Sequence, residues 1–494
     1  MKRLFTAFIA SLSLLALNFL EAAQHKTRNL PWYPSIDAFE HYDSGRTHLF
    51  REAKFGGSLR KQNIIITKEA PGLYPSIYNM TYLSPKQIFA YGGSYGNSPG
   101  SIGSFIAKIN PKTLQSVWYT QLIDTITTGE WDYPGVMGIL RNGYLYVIYG
   151  YHLSKLDPDT GNVMATVVLP TGGAEPQNTT YNGFDATADG TLVMKSIYRQ
   201  AGCSLQGPDA LFNCPDPSDV PASVLVSVDP VTMKIIDQTT LPSSVFGRLT
   251  VGRFHKNSYV YLFSTDTFIR YQVKKGIFTF DDSWTPGSLT LPGQTPGTAL
   301  VAFDDWIVGQ SNGSPSATAL SVIAVNQGNA SIQFTIQPFL GDPIPPNIAE
   351  AYSTAASGDP AISFMPSSVS VDTEHNIVYA MDSLPGKLAA IKLGSHGFNI
   401  LWKVNQATTE FISIIGNIQR RVIVGTDIPP GQIPGANVND YVVWRNAKSG
   451  KELARSPLLP AIASGSMVQP YYYGDVFYGG VNGNLYRLQP IRKN

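Results

Sequence analysis

The stretch KLDPDTGNVMATVVLP, Lys155 to Pro170, reads as a strand, a tight turn and a second strand, because Asp, Pro and Gly interrupt two β-prone runs. Relatives of it occur throughout the chain: SFIAKINPKTLQSVWYTQL from Ser104, SVLVSVDPVTMKIIDQTTLP from Ser223 and TFIRYQVKKGIFTF from Thr267. Further copies are ALSVIAVNQGNASIQFTI from Ala319, KLAAIKLGSHGFNILWKVN from Lys387 and DYVVWRNAKSGKELARSPLL from Asp440, with a truncated GNLYRLQPIRKN from Gly483. The turns begin at Asn110, Asp157, Asp229, Val273, Asn326, Leu393, Asn446 and Gln489, so they lie 47, 72, 44, 53, 67, 53 and 43 residues apart. A unit of roughly 45 residues with insertions is the size of a four-stranded propeller blade.

Two more strand-like runs precede each turn, for instance VMGILRNG and YLYVIYG before KLDPDTG. With one strand on each side of the turn, they make the four strands of an up-and-down blade. The last copy lacks an outermost strand, while LRKQNIIITKEA, Leu59 to Ala70, stands before the first blade. Pairing the two would close the ring and remove two open edges. The fold expected is therefore all-β: a single propeller over 59–494, closed by an N-terminal strand. It has eight blades, or seven if the weak copy at Val273 belongs to a neighbour.

Residues 1–23 read as a signal peptide, since Lys2 and Arg3 precede an apolar run from Leu4 to Leu20 that ends in small residues at Ala22 and Ala23. Residues 24–58 are expected to form an N-terminal arm. No later stretch is apolar for long enough to span a bilayer, and the expected location is periplasmic or secreted. Cys203 and Cys214, the only cysteines, are read as a disulfide stapling the Gly/Pro-containing GCSLQGPDALFNC loop. Lys plus Arg number 36 against 35 Asp plus Glu, a net charge of +1, which gives no electrostatic case for nucleic acid. A monomer is expected.

The turns resemble the pyrroloquinoline-quinone-type repeat, which carries Asp at the turn, Thr-Gly three and four residues on, and Trp eight on. Asp157, Thr160 and Gly161 match, with Ala165 at the Trp position, and Asn110, Thr113 and Trp118 match, with Leu114 in place of Gly. Asn446, Ser449 and Gly450 follow the pattern with Ala454 at the Trp position; Asp229 and Thr232 give a fainter version, and Trp402 holds only the Trp position. The resemblance implies an eight-bladed quinoprotein-like propeller, a group that includes quinone-dependent alcohol dehydrogenases and cofactor-free scaffolds for envelope protein assembly. It also implies pyrroloquinoline quinone held against a vicinal disulfide, with calcium on Glu and Asn or Asp. Cys203 and Cys214 are eleven apart, so the vicinal pair is missing and the sequence identifies no cofactor.

In a propeller the loops before each first strand, and those joining second to third strands, share one face around the channel, and function is expected there. Those loops supply the catalytic candidates Glu130, Asp132, Tyr181 and Arg199, and the ligand-binding candidates Trp131, Tyr133, Asn182 and Arg248. Paired carboxylates suit acid–base work; the aromatic and amide side chains suit a neutral organic ligand. No metal site is assigned: His41, Asp43 and His48 in EHYDSGRTH read as a solvated arm. No nucleophile elbow, P-loop or H-E-x-x-H motif occurs. The functional expectation is an exported propeller binding a small organic ligand or a protein partner at the channel mouth. The alternative is an exported enzyme, either a quinone-dependent oxidoreductase or a lyase or hydrolase, with its site at the same mouth.

Overall fold

The computed structural model describes residues 31–94, 100–214, 219–313, 319–353, 368–434, 439–463 and 465–493. The expected signal peptide and the middle of the glycine-rich run Gly92 to Ser104 lie outside them. Among the described residues the strands form eight sheets built as antiparallel meanders: seven of four consecutive strands, residues 77–121, 136–168, 179–240, 250–280, 301–336, 370–405 and 413–455, and a last of three, residues 469–492, which takes its fourth strand from near the N-terminus. The Val273 copy is a full member, blade 4, with Thr267–Lys274 paired to Ile277–Phe280. No helix of the described residues is long and apolar enough to cross a membrane.

Blade 8 closes as the strand count requires. Asn63–Ala70 pairs antiparallel with Leu485–Arg492 over its whole length, Asn63 opposite Arg492 and Ala70 opposite Leu485. N-terminal and C-terminal chain thus share one sheet, and neither strand keeps an unpaired inner edge.

The repeated turn acts through local geometry. Asp157 Oδ1 accepts from the amides of Asp159 and Thr160 at 2.8 and 2.9 Å, and the Asn110 and Asn446 amide oxygens do the same for Lys112 and Thr113, and for Lys448 and Ser449. Four residues on, the backbone turns left-handed in four of the copies: Gly161 and Gly450 have φ of 75° and 69°, and Leu114 and Met233 hold 61° and 53° without glycine's freedom. Glycine also makes room for the neighbouring blade. A Cβ on Gly161 would lie 2.6 Å from the Trp118 ring, and one on Gly450 would lie 2.9 Å from Trp402. The Trp402 indole further donates to the Ala447 carbonyl at 3.0 Å, so the tryptophan of one blade is docked on the turn of the next.

The arm is not solvated, which corrects the sequence expectation. Residues 31–50 run inside the channel, and Trp32, Phe39, Glu40, His41, Arg46 and His48 are all buried. In six of the eight blades, all but blades 3 and 8, the inner edge of the first strand presents an amide for which the arm supplies the acceptor. Tyr82, Ile139, Val251, Ala302, Val371 and Ile414 donate to the carbonyls of Asp37, Ala38, Ser44, Gly45, Thr47 and His48 at 2.7, 2.8, 3.1, 2.9, 3.0 and 2.8 Å. Leu49–Phe50 then lies parallel to Ser413–Ile415 as a fifth strand of blade 7. Ring and arm therefore complete each other's hydrogen bonding.

At the arm's tip the Glu40 carboxylate pairs with Arg46 at 3.1 Å and with Arg248, and lies 2.9 Å from His41 Nε2 without the alignment of a hydrogen bond. His41 Nδ1 is 2.5 Å from His48 Nε2, and burial pushes both imidazoles well below their usual range, so the pair is neutral. Asp43 is not with them, because it accepts from the Thr47 amide and hydroxyl at 3.0 and 2.8 Å. Among the described residues no group of three or more His, Cys, Asp or Glu could hold a metal ion.

Candidate functional site

The face formed by the loops before each first strand is here called the upper face. On it, the segment Gly129–Pro134 leads into blade 2 and draws most of the sequence candidates together. A short helical turn, Thr125–Thr128, is capped by Asp124 and ends at Gly129 with φ 70°, which turns the chain inward. Glu130 then meets His152, at the start of the third strand of blade 2, with Oε2 to Nε2 at 2.9 Å and both side chains partly open to solvent. Asp132 is fully buried; it accepts from the Ser104 and Gly150 amides at 2.6 and 3.2 Å, and burial pushes its carboxyl up to about 6.

Arg199 lies under the same segment, but its donors are spent on structure. Nε donates to Asn178 Oδ1 at 3.0 Å, one terminal nitrogen to the Leu205 carbonyl at 2.7 Å, and the other to the carbonyls of Gly129 and Gln177 at 3.1 and 2.9 Å. Burial lowers its pKa to about 10. Tyr181 stands apart from these groups, with its hydroxyl donating to the Pro170 carbonyl at 2.7 Å and its ionisation suppressed by burial.

The ligand-binding candidates form an inner layer. Trp131 and Tyr133 meet edge to face at 5.9 Å, and Tyr133 meets Phe246 at 6.1 Å. The Asn182 amide donates to the Phe246 carbonyl at 2.7 Å, and its oxygen accepts from Lys195 at 3.1 Å. Arg248 donates to Glu40 and to the Pro134 carbonyl at 3.0 Å, lies 4.9 Å above the Tyr78 ring, and has its pKa lowered to about 9 by burial. Cys203 and Cys214 form the expected disulfide, with Cα atoms 5.8 Å apart, and pack with Trp131, Tyr133, Ile197 and Ala210.

Three groups in these layers were not among the sequence candidates. Glu40 lies in EHYDSGRTH, which reads as solvated, and His152 opens the third strand of blade 2. Lys195 is fully buried, with acceptors at Asn182 and Phe246, and burial depresses its pKa strongly. Its one sequence signal is a lysine inside the otherwise apolar TLVMKSIY. A separate cavity of about 380 Å³ opens on the opposite face, between the arm at Asp43–Thr47 and the turns of blades 3 to 6. Arg51, Arg253, Asp304 and Gln327 are among its walls.

No family model matches the chain, and no curated protein matches it in sequence. Among solved structures, the quinohemoprotein alcohol dehydrogenase from Comamonas testosteroni is similar over 95% of this chain and 82% of that chain, with a TM-score of 0.59 and 11% identity. The quinohemoprotein alcohol dehydrogenase ADHIIG from Pseudomonas putida HK5 is similar over 94% and 81%, with a TM-score of 0.53 and 10% identity. The fold is that of a quinoprotein-like β-propeller.

The residues present do not fit the quinone that this resemblance implies. The channel is filled by the arm, and the polar side chains at its upper end, Asn182 and Arg248, are committed to Phe246, Lys195, Pro134 and Glu40. The disulfide joins residues eleven apart rather than a vicinal pair, and it packs within a cluster of Trp131, Tyr133, Ile197 and Ala210.

Proposed function

We propose that the chain is an exported quinoprotein-like propeller that binds a small organic ligand or a protein partner on its upper face, outside a channel closed by its own arm. The convergence of Glu130, Asp132, Trp131, Tyr133 and Arg199 on one rim, beside the partly open Glu130–His152 pair, carries this reading. The basic, apolar N-terminal sequence and the disulfide support a periplasmic or secreted location. Fold alone does not select among binding and catalysis, so the reading rests on the rim. A second reading follows from the lower cavity: its volume suits a small polar ligand, and the Arg253 side chain there makes no ion pair or hydrogen bond among the described residues.

Thermal-shift screening of the intact, oxidised protein against sugars, phenols and short peptides separates the two. Upper-face binding predicts stabilising ligands whose effect is lost in Glu130→Gln and kept in Arg253→Ala. The reverse pattern moves the site to the lower cavity, and ligands indifferent to both substitutions reject both.

A further inference from the structure

The loop closed by Cys203 and Cys214 is held to the rim in a way that goes beyond packing. Arg199 donates to the Leu205 carbonyl at 2.7 Å, and the Trp131 indole donates to the Gly207 carbonyl at 3.1 Å. The Gly207 amide donates to the Asp132 carbonyl at 2.9 Å. Between them, the Gln206 carboxamide makes a paired contact with main chain: its oxygen accepts from the Asp132 amide at 2.9 Å, and its nitrogen donates to the Glu130 carbonyl at 2.9 Å.

Fixed donors thus address the carbonyls of Leu205 and of the left-handed Gly207, and a backbone donor–acceptor pair reads the carboxamide between them. Arg199 is itself fixed from below by Asn178, Gln177 and Gly129, so the groove does not depend on its occupant for its shape. Trp131, Tyr133 and Phe246 make its apolar wall.

We infer that Leu205–Gly207 is an internal occupant of a peptide-binding groove on the upper rim, and that the Cys203–Cys214 bridge keeps it seated. The partner this groove fits is a turn-forming segment in which a leucine-like apolar residue precedes glutamine and glycine follows it, since Gly207 holds φ 58° in the seated loop. The inference rests on the upper-face reading and names the chemistry of its ligand. A tethered occupant competes through its high effective concentration. Opening a loop of this length releases conformational freedom that shifts the closed-to-open ratio by about a hundredfold.

The test uses the full mature chain in three forms: oxidised, reduced, and Cys203→Ser/Cys214→Ser, each checked by circular dichroism for an intact propeller. Each is titrated with an acetylated, amidated peptide of this chain's own Ser204–Pro208 sequence, SLQGP, and with SLEGP as the control. The inference predicts that SLQGP binds the reduced and serine forms at least tenfold more tightly than the oxidised form, and at least tenfold more tightly than SLEGP. Gln206→Ala, with the bridge intact, should also gain affinity. Equal binding to oxidised and opened forms, no discrimination between the peptides, or no binding to either opened form would overturn it. Rim ligands that persist while SLQGP fails would remove this inference alone. Binding of SLQGP with no rim ligand for the oxidised protein would instead remove the broader reading.

Discussion

Replacing Glu40 by Gln tests how the arm is held. Its carboxylate is the shared counter-charge of Arg46 and Arg248 in a site closed to water, and Gln keeps the shape while removing the charge. Leaving buried cations without their partner costs about 3–5 kcal/mol. Asp185, also close to Arg46, is raised to about 8 by burial and so is mostly neutral near pH 7; by ionising it can take over part of the lost charge, which favours the lower end. If the arm detaches locally, that cost appears as roughly 10²- to 10³-fold faster hydrogen exchange. The effect should fall on the amides whose acceptors lie in the arm: Tyr82, Ile139, Val251, Ala302, Val371 and Ile414. Amides in the outer ladders, such as that pairing Ser154 with Thr166, should be unchanged. Exchange mass spectrometry resolves the two groups. Equal acceleration of inner and outer amides, or none, would refute the claim that Glu40 anchors the arm.

At the docked turns, Gly161→Ala should cost about 2–3 kcal/mol in urea unfolding, combining about 1 for a positive φ with the displacement of Trp118. Gly143→Ala, at φ 82° with nothing near its Cβ, should cost only about 1. The dependence on pH follows from buried carboxyls: burial raises Asp132 to about 6, Asp382 and Asp440 to about 7, and Asp185 to about 8. Each folded value exceeds its unfolded one, so the stability they allow is full at low pH and declines as the pH rises through the folded values. The buried His41, His48 and Lys195, shifted down, act oppositely below their ordinary ranges, but they are fewer. The melting temperature should therefore be lower at pH 8 than at pH 5; a rise over that interval would contradict the assignment.

What the sequence reveals here is what is local. An Asx turn is specified within five residues, so Asp157, Thr160 and Gly161 announce their geometry, and counting strands around the ring leaves only Leu59 to Ala70 to complete blade 8. Leu114 and Met233 blur the motif because interblade context holds a positive φ that their own preference opposes. The arm is illegible for the opposite reason. EHYDSGRTH is polar enough to read as solvated, and only the assembled ring reveals the inner-strand amides that need its carbonyls and the Arg248 that needs Glu40. On the rim, the loop that carries Trp131 and Tyr133 is visible in sequence, whereas Asn182, expected in a loop, lies within the strand Thr179–Ala186. That Arg199 and Arg248 have spent their hydrogen bonds internally depends on carbonyls distant in the chain, such as Gly129 and Pro134.

The central claim is that this quinoprotein-like ring is sealed along its axis by its own arm and binds at its rim. The most direct measurement is an absorbance and mass-spectrometric titration of the purified, mature protein with pyrroloquinoline quinone and calcium. The sealed channel predicts no stoichiometric uptake at any ratio; one tightly held quinone per chain would contradict it.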